Sequence, residues 1–459
     1  MATTDIAAGQ LSEIEHGRQL RRAVVASTVG GVIDAYDFLL YVQMAPLVFA
    51  TLYFPKSDPL VGTLEAFGIY AVGFVARPVG AAIFGHFGDR IGRKATLIVT
   101  LMLMGISTFL VGLVPGYATI GIWGAVILTI LRFIQGVGLG GEWGGATLIA
   151  MEWARTNAHR GFITSWPQWG GPAGLFLANL MVLLFSWISG DQFLAWGWRV
   201  PFWLSIVMVG IGLYIRLGIL ETPAFSRLVE ERRVERTPVL EVLKTHPKEV
   251  VLTALLRTGQ QGPFYIFAGF IFTYGTTMLH SSRNLLLAAV MCATVLSAVT
   301  TPIAGHLSDR IGRKRMYIIG VAAIGIFSFV YFAMLNTAIA GVIFAAIVLS
   351  FIPHDLAYGP QAALIAECFP ARLRYSGSSL GFHFASIIAG GPAPLIATAL
   401  LAWTGSGYVI ALYILLSAAV SIAATLPLPD YTNRDISQEP IYQPAPGGNV
   451  GRVAASSDG

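Results

Sequence analysis

Charge is scarce in this chain. Asp, Glu, Lys and Arg make up 12% of its 459 residues, about half of the roughly 25% found in a soluble domain. So little charge cannot coat a water-exposed surface of this size, which excludes an ordinary soluble globular fold. Cysteine is nearly missing too. Cys292 and Cys368 lie in different apolar segments, which excludes a disulfide framework and a cysteine metal site. No nucleophile–base set and no cluster of metal ligands stands out, so the chain is not expected to be an enzyme or to need a metal or organic cofactor. Long polar stretches are also lacking between the two ends, except for residues 220–248.

What fills the chain is apolar. Hydrophobic residues make up 55%, and the mean hydropathy is +0.69. A membrane span takes roughly 20 apolar residues. Twelve such runs are expected, near 24–50, 64–86, 95–114, 121–150, 161–187, 198–219, 249–274, 284–306, 315–335, 338–366, 375–402 and 406–427. The predicted fold is all-α, a polytopic membrane protein with two pseudo-symmetric six-helix bundles at 24–219 and 249–427. A tail at 1–23, a linker at 220–248 and a disordered tail at 428–459 complete it. The pI of 9.2 and net charge of +5 would suit nucleic acid. The basic residues, however, sit in short alternate loops, as the positive-inside rule requires. Nucleic acid is therefore not an expected partner; the lipid bilayer is. Both termini are expected in the cytoplasm.

The chain repeats itself. Gly85-His-Phe-Gly-Asp-Arg-Ile-Gly-Arg-Lys94 returns as Gly305-His-Leu-Ser-Asp-Arg-Ile-Gly-Arg-Lys314, and Gly170-Gly171-Pro172 returns as Gly390-Gly391-Pro392. Both pairs are 220 positions apart, which argues for duplicated halves. Around the basic hinges sit acids that topology alone does not require. Asp89 and Arg93 match Asp309 and Arg313. Glu152 with Arg155 and Arg160 matches Glu367 with Arg372 and Arg374. Such residues are expected to pair between helices when the inner end is shut, as exposed pairs worth ~0–1 kcal/mol each.

Ionisable residues at bilayer depth are costly and mark function. Asp34 and Asp37 share a face of the first helix with Tyr41, and either is a candidate proton carrier or the partner of an arginine. Glu142 sits in the glycine stripe Gly136, Gly140 and Gly144 of the fourth helix, whose small-residue spacing suits close packing. It is expected to pair with Arg132 or to relay protons. Arg132 and Arg257 offer forked donors to a carboxylate. Arg257, with Gln260 and Gln261, is the best candidate for an anion clamp, or else neutralises an aspartate. Gln168, Tyr265, His354, Tyr358 and Gln361 complete the expected substrate contacts. Arg77 ranks lower, because its place near the hinge lets it snorkel, and His383 is a weaker candidate.

The doubled hinge string resembles the major facilitator superfamily. Asp34-Ala-Tyr-Asp-Phe38, Arg132-Phe-Ile-Gln-Gly-Val-Gly-Leu-Gly-Gly-Glu-Trp-Gly-Gly145, Gly197-Trp-Arg-Val-Pro-Phe202 and Glu221-Thr-Pro-Ala-Phe225 are similar to its metabolite:proton symporters. In that family the first string usually opens Glu-Trp, where this chain has Asp34-Ala35. The resemblance implies alternating access by an inner-membrane carrier, expected to act as a monomer, with protons as the coupling ion. Its expected substrate is a small organic acid, a mono- or dicarboxylate, or alternatively a zwitterion such as proline or betaine. It also implies that Asp89 and Arg93, and by repetition Asp309 and Arg313, hold the outward-facing state.

Overall fold

The computed structural model describes residues 12–57, 59–154, 159–434 and 436. Among them there are helices and no strands. The first half holds α1 (Glu13–Met44), α2 (Pro59–Arg90), α3 (Arg93–Val111), α4 (Trp123–Glu152), α5 (Arg160–Ser189) and α6 (Arg199–Leu217). The second holds α7 (247–277), α8 (Arg283–Ile311), α9 (Arg313–Leu335), α10 (Ala340–Ala366), α11 (Ala371–Thr404) and α12 (Gly407–Thr425). Eleven of these are long and apolar enough to cross a membrane. The exception is α7, whose apolar run is interrupted by Arg257, Gln260 and Gln261. Large apolar side chains such as Trp187, Ile326 and Trp403 stand on the outside of the bundle, where lipid and not water is the fitting solvent.

α1 starts earlier than the apolar run at 24 suggests. Ser12 and Glu15 form a reciprocal capping box that fixes the first turn at Glu13. In the linker, Pro223–Glu230 and Pro238–Thr245 are short helices. α7 carries Pro263, followed by a π turn at Ile266–Phe270. Proline removes a donor and crowds the preceding turn, and a wider π turn absorbs the misfit. A second π turn, Ser386–Gly390, lies in α11 just before Pro392.

Within the halves α1 packs on α5 and α2 on α4, and in the second half α8 on α10 and α9 on α12. Between the halves α5 packs on α8 and α2 on α11. The two inter-half seams are equivalents under the 220-residue repeat. The glycine stripe of α4 is what it was read to be. A Cβ on Gly136 would strike the Gly73 carbonyl, and one on Gly140 the Arg77 carbonyl, so α4 lies directly on the backbone of α2.

The hinges are built alike. Gly92 and Gly312 have φ of 128° and 107°, a region that L side chains avoid, and each starts the next helix. Asp89 accepts from the backbone N–H of Tyr375 at 3.2 Å and of Ser376 at 2.8 Å, across the seam on α11. Asp309 accepts from Gly161 at 2.8 Å and Phe162 at 2.9 Å, across the seam on α5. Each hinge aspartate thus caps a helix of the opposite half, where carboxylate charge suits the positive helix end. Arg93 lies 3.3 Å from Asp89 and 3.5 Å from Glu152; Arg313 lies 2.9 Å from both Asp309 and Glu367. Two further pairs cross the seam, Arg160–Glu367 at 3.1 Å and Arg374–Glu152 at 3.5 Å. The hinge face is therefore closed.

Two expectations change here. The hinge pairs are not exposed, since their side chains are 0–3% accessible, so breaking one leaves a buried ion and costs more than a surface pair. Burial pushes the Glu367 carboxyl up to about 7, so its pairs hold above that pH and weaken below it. The beginning of the tail is also ordered, not disordered from 428. Arg313 N–H donates to Thr432 Oγ1 at 2.9 Å, Arg160 donates to the Arg434 carbonyl at 2.6 Å, and Arg374 to the Ile436 carbonyl at 3.1 Å. Buried arginines supply donors that a polar backbone segment can accept, which is what ties it down. Arg155 lies outside the described residues.

Removing both caps in a D89A/D309A variant, each worth about 0.5–2 kcal/mol, should loosen this face. Maleimide modification of Cys368, buried beside Glu367, should then quicken roughly tenfold or more in a C292S background. An unchanged rate would show that the caps do not hold the face shut.

Candidate functional site

A cavity of about 140 Å³ lies between the halves. α1, α4, α7 and α10 line it, and α2, α5 and α11 contribute as well. Of the expected site residues, Asp34, Gln168, Arg257, Gln260, Gln261, Tyr265 and Tyr358 border it. Arg77 and His383, ranked low from sequence, border it too. Arg77 does not snorkel toward the hinge. Side chains on a helix tilt toward its N-terminus, and on α2 that direction leads away from the hinge and into the cavity.

Two guanidinium groups, one from each half, meet at a single hydroxyl. Ser386 Oγ accepts from Arg257 Nη1 at 3.2 Å, Arg77 Nη1 at 3.4 Å and Gln261 Nε2 at 3.1 Å. Arg257 also donates to Gln261 Oε1 at 2.9 Å and to the Phe382 carbonyl at 2.8 Å, with its guanidinium over the Phe382 ring. Arg77 lies over Phe38 and Phe74. Neither arginine is within ion-pair distance of a carboxylate among the described residues. The reading of Arg257 as the neutralising partner of an aspartate therefore gives way. Both ring nitrogens of buried His383 lack a hydrogen-bond partner among the described residues. Trp143 stacks on Phe382 at 3.5 Å and donates to Gln168 Oε1 at 2.7 Å, giving the cavity a flat aromatic wall.

The other expected residues sit behind the wall. Asp37 is fully buried. Arg132 is caged by Phe38, Tyr41 and Tyr70, with its charge over their rings, and donates to Gln135 at 3.0 Å. The hydroxyl of Tyr41 has no hydrogen-bond partner among the described residues, and Gln361 is fully buried. Glu142 pairs with Arg216 of α6, not with Arg132. Arg216 Nη1 donates to Glu142 Oε2 at 3.0 Å, Nη2 to Oε1, and Thr100 adds a bond at 2.7 Å. Arg216 escaped the sequence reading because it ends an apolar run next to the linker, where a basic residue serves topology. Ser386 escaped because a lone serine in an apolar helix carries no signal of its own.

Comparison with known proteins fits this architecture. The sequence model of the Major Facilitator Superfamily matches residues 28–391 and 279–446. The shikimate transporter of Escherichia coli (strain K12) is 40% identical over 89% of this chain and 94% of its own length. The chain belongs to the Major Facilitator Superfamily. It is a membrane transporter, not an enzyme. Also similar are the inner membrane metabolite transport protein YhjE of Escherichia coli (strain K12), 40% identical over 88% of this chain and 93% of its own, and the glycine betaine/proline/ectoine/pipecolic acid transporter OusA of Dickeya dadantii (strain 3937), 32% identical over 94% and 87%. The proton:xylose symporter XylE bound to 6-bromo-6-deoxy-D-glucose shares the fold, with a TM-score of 0.73 at 18% identity over 92% of this chain and 98% of that one.

The Glu142–Arg216 pair yields a stability test. Glu142→Gln strands a buried guanidinium and should cost about 3–5 kcal/mol, read as a fall in the thermal midpoint of the purified protein. Replacing both partners by Met should recover most of that loss. A midpoint unmoved by Glu142→Gln would mean that the pair carries no stability.

Proposed function

We propose that this transporter takes up a small organic acid anion, a mono- or dicarboxylate, together with protons, by alternating access across the inner membrane. The observation that carries the reading is the meeting of Arg77 and Arg257 over Ser386, neither within ion-pair distance of a carboxylate among the described residues. A substrate carboxylate can take the place that a neutral hydroxyl now fills, accepting forked donors from both halves at once. Trp143 and Phe382 receive the flat or ring-shaped part of the substrate, and Gln168, Gln261 and Tyr265 its hydroxyl or keto groups. The relatedness to a shikimate transporter supports this class. Asp34, which borders the cavity with one oxygen unpartnered, is assigned the coupling proton, and Asp37 stands behind it. The hinge clusters around Asp89, Arg93, Asp309 and Arg313, with Glu152, Arg160, Glu367 and Arg374, act as the inner gate. The hinge face is assigned to the cytoplasm on the positive-inside bias of its loops. The carrier is assigned to work as a monomer, each half supplying one arginine.

A second reading has its own support. Asp34 opposite the two arginines, beside an aromatic wall, also suits a zwitterion whose cationic end lies against ring faces. The relatedness to the betaine and proline transporter OusA leans the same way.

Uptake of labelled shikimate, 2-oxoglutarate and betaine into proteoliposomes separates the two. Under an inward proton gradient, an acid should enter and the entry should fall away with an uncoupler. Arg77→Ala and Arg257→Ala should each weaken its uptake about 10- to 100-fold, the loss of a charged hydrogen bond. Asp34→Asn should lose gradient-driven uptake while keeping exchange. Entry of betaine alone, insensitive to Arg77→Ala, would overturn the anion reading.

A further inference from the structure

We infer that Asp355, His354 and Gln260 form a relay in the second half that converts a proton on His354 into an anion-binding amide at the cavity. The inference rests on the organic-anion reading of that cavity and adds a coupling element to it.

The chain of contacts fixes who donates. Asp355 Oδ2 accepts from Ser297 Oγ at 2.7 Å and from Thr300 Oγ1, and Asp355 Oδ1 lies 2.9 Å from His354 Nδ1. A carboxylate taking two hydroxyl donors on one oxygen is the ionised acceptor, so His354 Nδ1 carries hydrogen. At the other ring nitrogen, Nε2 lies 2.6 Å from Gln260 Nε2. An amide nitrogen only donates, so His354 Nε2 accepts and the imidazole is neutral. Gln260 lines the cavity, and its buried Oε1 has no hydrogen-bond partner among the described residues.

Protonation reverses the arrangement. A proton reaching Nε2 from cavity water turns both ring nitrogens into donors, and the amide N–H must leave. A half-turn of the amide puts Oε1 against Nε2–H and moves the NH2 group to where the unpartnered oxygen was. The terminal amide torsion is broad and twofold, and oxygen and NH2 are of similar size, so the turn requires no repacking. Gln260 then presents two donors, beside Arg257 one turn away on α7, in place of an acceptor that repels carboxylate. Proton and anion bind better together than apart. The side chains against His354 are Asp355, Phe351 and Tyr358 on α10 and Gln260 and Phe264 on α7, of which Asp355 and Tyr358 can ionise, while α8 supplies the neutral Ser297 and Thr300 to Asp355.

The test is binding of shikimate and of 2-oxoglutarate to the purified full chain, followed by tryptophan fluorescence. The wild type should bind about tenfold more weakly at high pH than at low pH. His354→Gln, which cannot take the proton, should bind with a flat pH profile. Gln260→Met, which leaves the His354–Asp355 pair in place, should also bind with a flat pH profile. A carboxylate that binds with the wild-type slope in His354→Gln, or in Gln260→Met, sinks the relay and spares the anion reading. A wild type that binds neither carboxylate sinks both.

Discussion

The low dielectric of a membrane protein's interior sets the terms for everything else in this structure. An ion taken out of water there needs a partner, a hydrogen-bonded counter-charge or a ring face. At the hinge face, Asp89, Arg93, Glu152, Asp309, Arg313 and Glu367 meet that need in two matching clusters, and Glu142 meets it with Arg216. Arg132 meets it with aromatic faces. Arg77 and Arg257 also lie on ring faces, of Phe38, Phe74 and Phe382. What sets them apart is that both border one cavity and converge on the neutral Ser386 hydroxyl, which is why the cavity is read as a seat for negative charge.

The duplicated sequence explains why the seam takes this form. A hinge aspartate on α2 caps α11, and its copy on α8 caps α5. Two equivalent caps give two seams of similar strength on either side of the central cavity. The same doubling extends past the bundles. After α6, Glu221 accepts from the Lys94 N–H at 3.2 Å; after α12, Thr432 accepts from the Arg313 N–H at 2.9 Å. Linker and tail thus dock on equivalent hinges. The repeat signal ends at the last apolar run, so sequence alone gave no reason to expect order beyond it.

The fold was legible because each of its signals is local. Apolar run length, loop charge and an exact repeat survive without knowledge of any contact. The residues bordering the cavity were legible where polarity interrupts an apolar helix, as at Arg257, Gln260 and Gln261. Pairing was not legible, since it depends on distance between helices. Glu142 looked closest in sequence to Arg132, yet both lie on α4, ten positions apart, and the helix turns them to different neighbours. Arg77 was misjudged on distance along the axis alone. The direction of its side chain, set by helix geometry, outweighs the rise from the hinge.

α7 shows how the site and the fold constrain each other. Its hydropathy falls below that of the other spans because Arg257, Gln260 and Gln261 share it, and its helix is widened just beyond them after Pro263. Such a span is a poor lipid-facing helix. It is stable only where other helices surround it, and most of its polar stretch is indeed buried. The counterpart α1 carries Asp34 and Asp37 in the same place and ends in its own π turn at Ala45–Phe49. Each half therefore places a helix that carries polar and ionisable groups on the wall of the cavity. The polarity that would make either helix unfit for lipid is the polarity that a carried anion and its proton require.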